Sequence, residues 1–334
     1  MSNLTGIYPN GTRHGNTTLL LNRKLCTLET CDLSLSSFLY LPTLPGNAAF
    51  SGIFTALLVA QVVLGVRHQT WGYMVAMLLG LLCEIIGYVA RILLWISPFE
   101  RNYFLMYLIT LTIGPAFLSA AIYLCLSRIV ILYGSHLTRF SPRSYTIFFC
   151  GCDIISLVLQ GSGGGISSTA NTAELVDVGK NIMLAGLGFQ VFSLTLFLIC
   201  GADIAFRVWK FCALWNLKHL NVIESRRFIW FLAGLVVATV TIHARSTYRC
   251  VELSGGFRGE LFISDEPLFI VMEGVMISVA CVCLTCLHPG ICFHGVWNQL
   301  VFPLRGTKSS PGKQKKGLIT ADSEIELNSL AGTE

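Results

Sequence analysis

Apolar residues along the 334-residue chain gather into seven runs, at about Ala48–Val66, Trp71–Trp95, Tyr103–Ile131, Tyr145–Gly163, Ile182–Ile204, Phe228–Thr247 and Leu268–Leu287. Each approaches the roughly 20 residues that cross a hydrocarbon core. In lipid the backbone finds no water, so each run is predicted to be a helix that satisfies its own N–H and C=O groups. The pattern predicts an all-α polytopic membrane bundle of seven transmembrane helices. It divides the chain into an N-terminal tail (1–46), the seven-helix domain (47–290) and a polar, largely disordered C-terminal tail (291–334). The fourth run is the weakest, because it contains Asp153 and Gln160 and ends in the glycine run Gly161–Gly165. Without it the C-terminus would change sides.

Composition supports the membrane reading. Hydrophobic residues make up 54% of the chain and charged residues 12%, about half the charged share of an ordinary soluble domain. A net charge of +5 is too small to argue for nucleic acid. Residues 1–18 are polar and lack the apolar core of a cleavable signal, so the first span is expected to act as the targeting signal.

Two signals predict an N-terminus outside and a C-terminus in the cytosol. Three glycosylation sequons, at Asn3, Asn10 and Asn16, lie within the first eighteen residues, as expected of a lumenal or extracellular tail. Basic residues concentrate in the loops that would then be cytosolic: Arg67; Arg139 and Arg143; Arg207, Lys210, Lys218, Arg226 and Arg227. The final tail adds Arg305, Lys308, Lys313, Lys315 and Lys316. The opposite loops hold acids instead, including Glu174, Asp177, Glu260 and Asp265. The plasma membrane or an endomembrane is the expected location. Most of the 13 cysteines lie in apolar runs and read as small buried residues. Cys26, Cys31 and Cys250 would face the oxidising side, which leaves one disulfide among them open.

Polar groups inside spans are costly, and so they are the first candidates for function. Glu84 and Arg91 are seven apart on one face of the second run, and Asp153 and Gln160 repeat that spacing in the fourth. Arg245, Arg249 and Glu252 form a stripe at the end of the sixth, and Glu273 lies in the seventh. Together these eight are expected to line one polar seam inside the bundle, either as a substrate path or as buried ion pairs that fix helix register. The glycines at 161–165 lack the strand and Gly-Lys-Ser/Thr of a phosphate loop, and read as close helix packing or as an unwound helix end lining a cavity. Pro115 is expected to kink the third helix. The chain carries no catalytic triad, no His-Glu-x-x-His and no nucleotide fingerprint, so neither an enzyme activity nor a cofactor or metal is expected.

The ordered motifs resemble a known family. They are Tyr40-x-Pro42-x-Leu44-x-x-Asn47-x-x-Phe50, Thr70-Trp71-x-Tyr73, Glu84-x-x-Gly87-Tyr88-x-x-Arg91 and Pro115-x-x-x-x-Ala120-x-x-Tyr123 with Arg128. Asp153-x-x-x-x-x-x-Gln160-Gly161-x-Gly163-Gly164, Gly186-x-x-x-Gln190, Arg245-x-x-x-Arg249-x-x-Glu252 and His288-Pro289-Gly290 follow. The set is similar to the fungal RTA1-like family, the lipid-translocating exporters. The resemblance implies movement of lipids or amphiphiles between leaflets or out of the cell, notably sphingoid long-chain bases, and resistance to toxic amphiphiles. Membrane lipids or amphiphilic small molecules would be its partners. The resemblance adds Tyr88 and Gln190 to the candidate path residues. A seven-helix receptor or sensor of membrane stress is the alternative, although an Asp-Arg-Tyr-like motif after the third run and an Asn-Pro-x-x-Tyr in the seventh are absent.

Overall fold

A computed structural model describes residues 6–7, 13–14, 41–134, 141–170, 172–210, 220–255, 266–293 and 295–298. The three sequons, Cys26, Cys31, Arg139, Lys218 and the whole tail beyond residue 298 lie outside the described residues. Apart from a two-residue antiparallel pairing of β1 (Gly6–Ile7) with β2 (Arg13–His14), the regular structure is helical.

Seven helices are long and apolar enough to cross a membrane, and the chain is an integral membrane protein. They are α1 (Leu44–His68), α2 (Trp71–Ile96), α3 (Arg101–Tyr133), α4 (Pro142–Thr169), α5 (Ala173–Lys210), α6 (Arg226–Ser254) and α7 (Pro267–Cys292). All seven apolar runs form spans, and each helix extends past the run that predicts it. α3 shows why. Its 33 residues rise about 50 Å, well beyond a hydrocarbon core of roughly 30 Å, so polar end turns that hydropathy excludes are still helical.

Burial ranks the helices. The apolar window of α3 is 72% buried and that of α1 only 17%, which makes α3 the central post and α1 a lipid-facing outer helix. Leu111, Leu118, Ala121, Ile122 and Cys125 of α3 are fully enclosed. On lipid-facing sides apolar side chains lie open, as Ile154, Ile155 and Val158 do on α4. That is the inverse of a soluble surface.

The glycine run of α4 stays helical to Thr169, so the unwound-end alternative is not what forms. Close packing is. A Cβ placed on Gly163 would lie 2.6 Å from the Gly179 carbonyl oxygen of α5, and one on Gly179 would lie 2.7 Å from the Gly163 oxygen. One heptad away, a Cβ on Gly186 would meet the Ser156 oxygen at 2.9 Å. Small residues let the two backbones touch, which is how helices associate where lipid removes the hydrophobic drive. Gly161 and Gly165 have open space around them instead.

Two local devices set the remaining geometry. Gln69 takes a left-handed conformation (φ 52°) and closes α1, its N–H reaching back to the last turn. In α7, Ile270–Val275 is π-helical, a rare insertion that recurs at functional sites, and it carries Glu273.

Gly163→Leu is expected to lower stability by about 1–3 kcal/mol through overpacking, whereas Gly165→Leu, open in the structure, leaves the melting temperature unchanged. Thermal unfolding of the two detergent-purified variants checks the pair; equal melting temperatures would contradict the close crossing.

Candidate functional site

α1, α3, α5 and α7 run one way through the bundle and α2, α4 and α6 the other. Residues near the start of α1, the end of α2, the start of α3, the end of α6 and the start of α7 therefore share one end. Asn47, Arg91, Tyr107, Arg249, Glu252 and Glu273 are those residues, and all are buried. Glu84 and Arg245 lie deeper in the same core, each with no exposed surface.

Arg245 is the hub. Its Nη2 and Nε donate to Glu273 Oε2 of α7 at 2.6 and 3.1 Å. The same Nη2 donates to the Leu111 carbonyl oxygen of α3 at 2.5 Å. That carbonyl is available for a local reason. α3 runs unbroken through Pro115, which has no N–H, so the oxygen four residues earlier loses its intrahelical donor. Arg249 donates to Glu252 Oε2 at 2.5 Å and lies 3.6 Å from Glu273 Oε1. Glu273 thus serves two arginines of one helix, and the π turn that carries it is what brings α7 to them.

Arg91 is handled differently. Its Nε donates to Asn47 Oδ1 of α1 at 3.0 Å, and its guanidinium lies 3.7 Å from the Phe269 ring centre and 5.3 Å from that of Tyr107. A hydrogen bond and two aromatic faces thus surround this guanidinium. Glu84 shares a helix face with Arg91 but turns to α3, against Gly114, where a Cβ would lie 2.7 Å from Glu84 Oε1. Neither Glu84 oxygen has a hydrogen-bond partner, nor does the Tyr88 hydroxyl, whose ring packs on Phe50 and Phe54. Arg245 and Arg249 are the cations close enough to act on Glu84. Among the described residues, three arginines and three glutamates gather in this core.

The eight residues expected to share one seam do not form one network. Asp153 of α4 faces α3, where Ser119 Oγ donates to Asp153 Oδ2 at 2.8 Å and Tyr123 lies beside it. Its Oδ1 has no partner although the residue is only 4% exposed. Gln160, on the same helix face, turns to α5 and donates to Gln190 Oε1 at 2.8 Å. The polar interior therefore has three parts: the arginine–glutamate core, the Asp153 site, and the Gln160–Gln190 clasp. Asp153 faces hydroxyls, while Glu84 packs on Gly114 within reach of the Arg245 and Arg249 charges.

A further polar knot ties the opposite end. His288 Nδ1 accepts from the Gly290 N–H at 3.1 Å, which leaves Nε2 as the donor to Thr70 Oγ1 at 3.4 Å. Tyr73 packs edge-on against the imidazole and donates to the Leu284 oxygen at 2.8 Å. Gln61 donates to Thr285 at 3.0 Å, and Arg128 caps Trp297 both through its carbonyl (2.6 Å) and over its ring. Two motifs far apart in sequence, Thr70-Trp71-x-Tyr73 and His288-Pro289-Gly290, are one contact. Among the described residues, no group of three His, Cys, Asp or Glu side chains could hold a metal.

Several partners carry no signal in the hydrophobic pattern. Tyr107 and Phe269 read as ordinary span aromatics, and Ser119 as a small residue. The Leu111 carbonyl is legible only by counting back four from Pro115.

The family model described as RTA1 like protein matches residues 77–296, beginning within α2 and so after the motifs at Tyr40–Tyr73. The sphingoid long-chain base transporter RSB1 of Saccharomyces cerevisiae (strain Lalvin EC1118 / Prise de mousse) is 32% identical over 282 residues, 76% of this chain and 73% of that one. Protein RTM1 of S. cerevisiae is 29% identical over 217 residues (64% and 67%), and protoporphyrin uptake protein 1 of S. cerevisiae (strain ATCC 204508 / S288c) is 30% identical over 197 residues (59% and 62%). No solved structure matches the chain.

Arg245→Leu alone is expected to destabilise the protein by roughly 3–5 kcal/mol, since it strands Glu273. The Arg245→Leu/Glu273→Leu double variant is expected to cost less than the sum of the singles by at least about 1 kcal/mol. A double-mutant cycle of unfolding in mixed detergent measures the coupling, and strict additivity would contradict the pairing.

Proposed function

The chain belongs to the RTA1-like family, and on that premise we propose that it moves single-headed cationic amphiphiles of the sphingoid long-chain base type between membrane leaflets. The observation that carries the reading is Asp153: an enclosed carboxyl at the middle of α4 with one oxygen held by Ser119 and the Tyr123 hydroxyl beside it, so that among the described residues hydroxyl groups rather than cations face it. An ammonium head supplies the cation that these hydroxyls do not. The glutamates of the core are poorer candidates, because Glu252 and Glu273 already serve arginines and Glu84 lies close to two of them.

The mechanism follows from what a charged head costs in lipid. Taking a cation to the bilayer centre costs about 2.5–3.5 kcal/mol on insertion scales. A carboxylate at mid-depth offsets that cost where it is greatest. Asp153 is followed directly by Ile154 and Ile155, which lie open to lipid (60% and 54%). Asp153 lies about 100° around the helix from Ile154; a rotation of α4 of that order brings the acid to the lipid boundary, and the amphiphile's tail stays in hydrocarbon while its head passes Asp153. Movement of this kind runs downhill and needs no nucleotide. One relative is named for sphingoid long-chain bases, which supports this cargo; another is named for protoporphyrin uptake, which supports an amphiphile but not a cationic one.

We place the N-terminal tail outside and the basic loops in the cytosol, in the plasma membrane or an endomembrane, on the strength of the sequons and the basic residues. The arginine–glutamate core then lies toward the outer leaflet.

Liposomes containing only the purified protein test the proposal, with a fluorescent long-chain base as cargo. Movement faster than in protein-free liposomes is expected. Asp153→Asn is expected to slow it on the order of a hundredfold, the factor that the centre-of-bilayer cost represents. Movement no faster than in empty liposomes would overturn the proposal, and wild-type movement in Asp153→Asn would remove Asp153 from the path.

A further inference from the structure

A second feature lies in the other half of the bundle, away from the charged core. A cleft of about 480 Å³ opens between the C-terminal halves of α3 and α5 and the N-terminal half of α6. Ile122 and Tyr133 of α3, Phe197 and Trp209 of α5, and Leu235 of α6 are among its walls. It exists because α5 carries Gly201, Ala202 and Ala205 where neighbouring turns carry large residues, and a Cβ on Gly201 would meet nothing within 4 Å. The lining is hydrocarbon. Its one threonine, Thr239, turns its hydroxyl onto its own helix, donating to the Leu235 oxygen at 2.7 Å.

Length and direction say what fits. From Phe197 to Trp209 the cleft follows twelve residues of helix, about 18 Å, close to the thickness of one leaflet's hydrocarbon, about 15 Å. Its inner end, at Ile122 and Phe197, lies near mid-membrane. Its outer end is where α5 finishes and α6 begins. Trp209, 76% exposed there, has the place of an interfacial anchor. A leaflet lipid presents itself the same way, headgroup at the surface and chain toward the centre.

Charge selects the headgroup. Arg207, Lys210, Arg226 and Arg227 lie at this end, against Asp203, which pairs with Arg207 at 2.8 Å, and Glu224. Among the described residues at this end, four cations to two acids favour an anionic head and disfavour the cationic cargo proposed above. We propose that this cleft is a binding site for an anionic phospholipid of the membrane, one acyl chain lying along Gly201, Ala202 and Ala205 and the phosphate held by Lys210 and Arg226. The site is independent of the Asp153 path and does not rest on transport.

Trp209 supplies the readout. The purified full chain is placed in phosphatidylcholine vesicles containing brominated phosphatidylglycerol or, in parallel, brominated phosphatidylcholine, and the fluorescence lost in Trp209→Phe is assigned to Trp209. Brominated phosphatidylglycerol is expected to quench that component at a lower mole fraction than brominated phosphatidylcholine. Lys210→Gln and Arg226→Gln are each expected to reduce the preference about fivefold, the factor equivalent to roughly 1 kcal/mol per cation near an anionic surface. Gly201→Leu, which fills the cleft without a clash, is expected to lower quenching by both lipids. Equal quenching by the two lipids, or a preference that survives both charge variants, would overturn the proposal.

Discussion

The contact on which the bundle depends is the guanidinium of Arg245 between Glu273 and the Leu111 carbonyl. Three helices meet at that one side chain. Each contributes a group that lipid cannot solvate: a cation on α6, an anion on α7, and on α3 a carbonyl released by Pro115. None of these is stable alone at membrane depth, so none can leave without stranding the others. The π turn of α7 is the local accommodation that puts Glu273 within reach. Arg249 extends the same logic by sharing Glu273 and holding Glu252. α1 and α2 join through Arg91 and Asn47, with Phe269 of α7 beneath the guanidinium.

This arrangement divides the polar interior by purpose. A core that gathers three arginines and three glutamates is enclosed, which suits a frame. Asp153 stands outside it with the hydroxyls of Ser119 and Tyr123 as neighbours, next to the lipid-facing side of α4. The α4–α5 pair is fastened by touching glycine backbones and the Gln160–Gln190 clasp, so the helix that carries Asp153 has a fixed partner on one side. On its other side it meets α3 partly through small polar contacts such as that of Ser119. On the proposed reading frame and path are different residues, although every one of them is a buried polar group on a membrane-spanning helix.

Much of this was legible in the residue pattern, and the limits have physical causes. The seven spans follow from hydropathy, because lipid imposes one requirement on every crossing segment. The ends do not, because helices outlast the apolar stretch; α6 runs on through Arg249 and Glu252 to Ser254. Burial of Glu84, Arg91, Asp153, Gln160, Arg245, Arg249, Glu252 and Glu273 was also readable, since exposure to lipid would be too costly. Their pairing was not. Periodicity tells which residues share a face, and Glu84 and Arg91 share one, yet they face α3 and α1 respectively. Asp153 and Gln160 part in the same way, toward α3 and α5. Neighbouring helices, not spacing along one helix, decide partners. The glycine run shows the converse: its composition allowed packing or unwinding, and only the position of Gly179 on the facing helix selects packing.

The distinction between frame and path is open to direct observation. The decisive measurement is a cryo-electron microscopy map of the protein in lipid nanodiscs with a sphingoid long-chain base bound. The ammonium head is expected within hydrogen-bonding distance of Asp153, with the Arg245–Glu273 pair and the Arg245–Leu111 contact unchanged. A head lodged between Glu84 and Arg245, with that ion pair opened, would contradict the division and make the charged core the path.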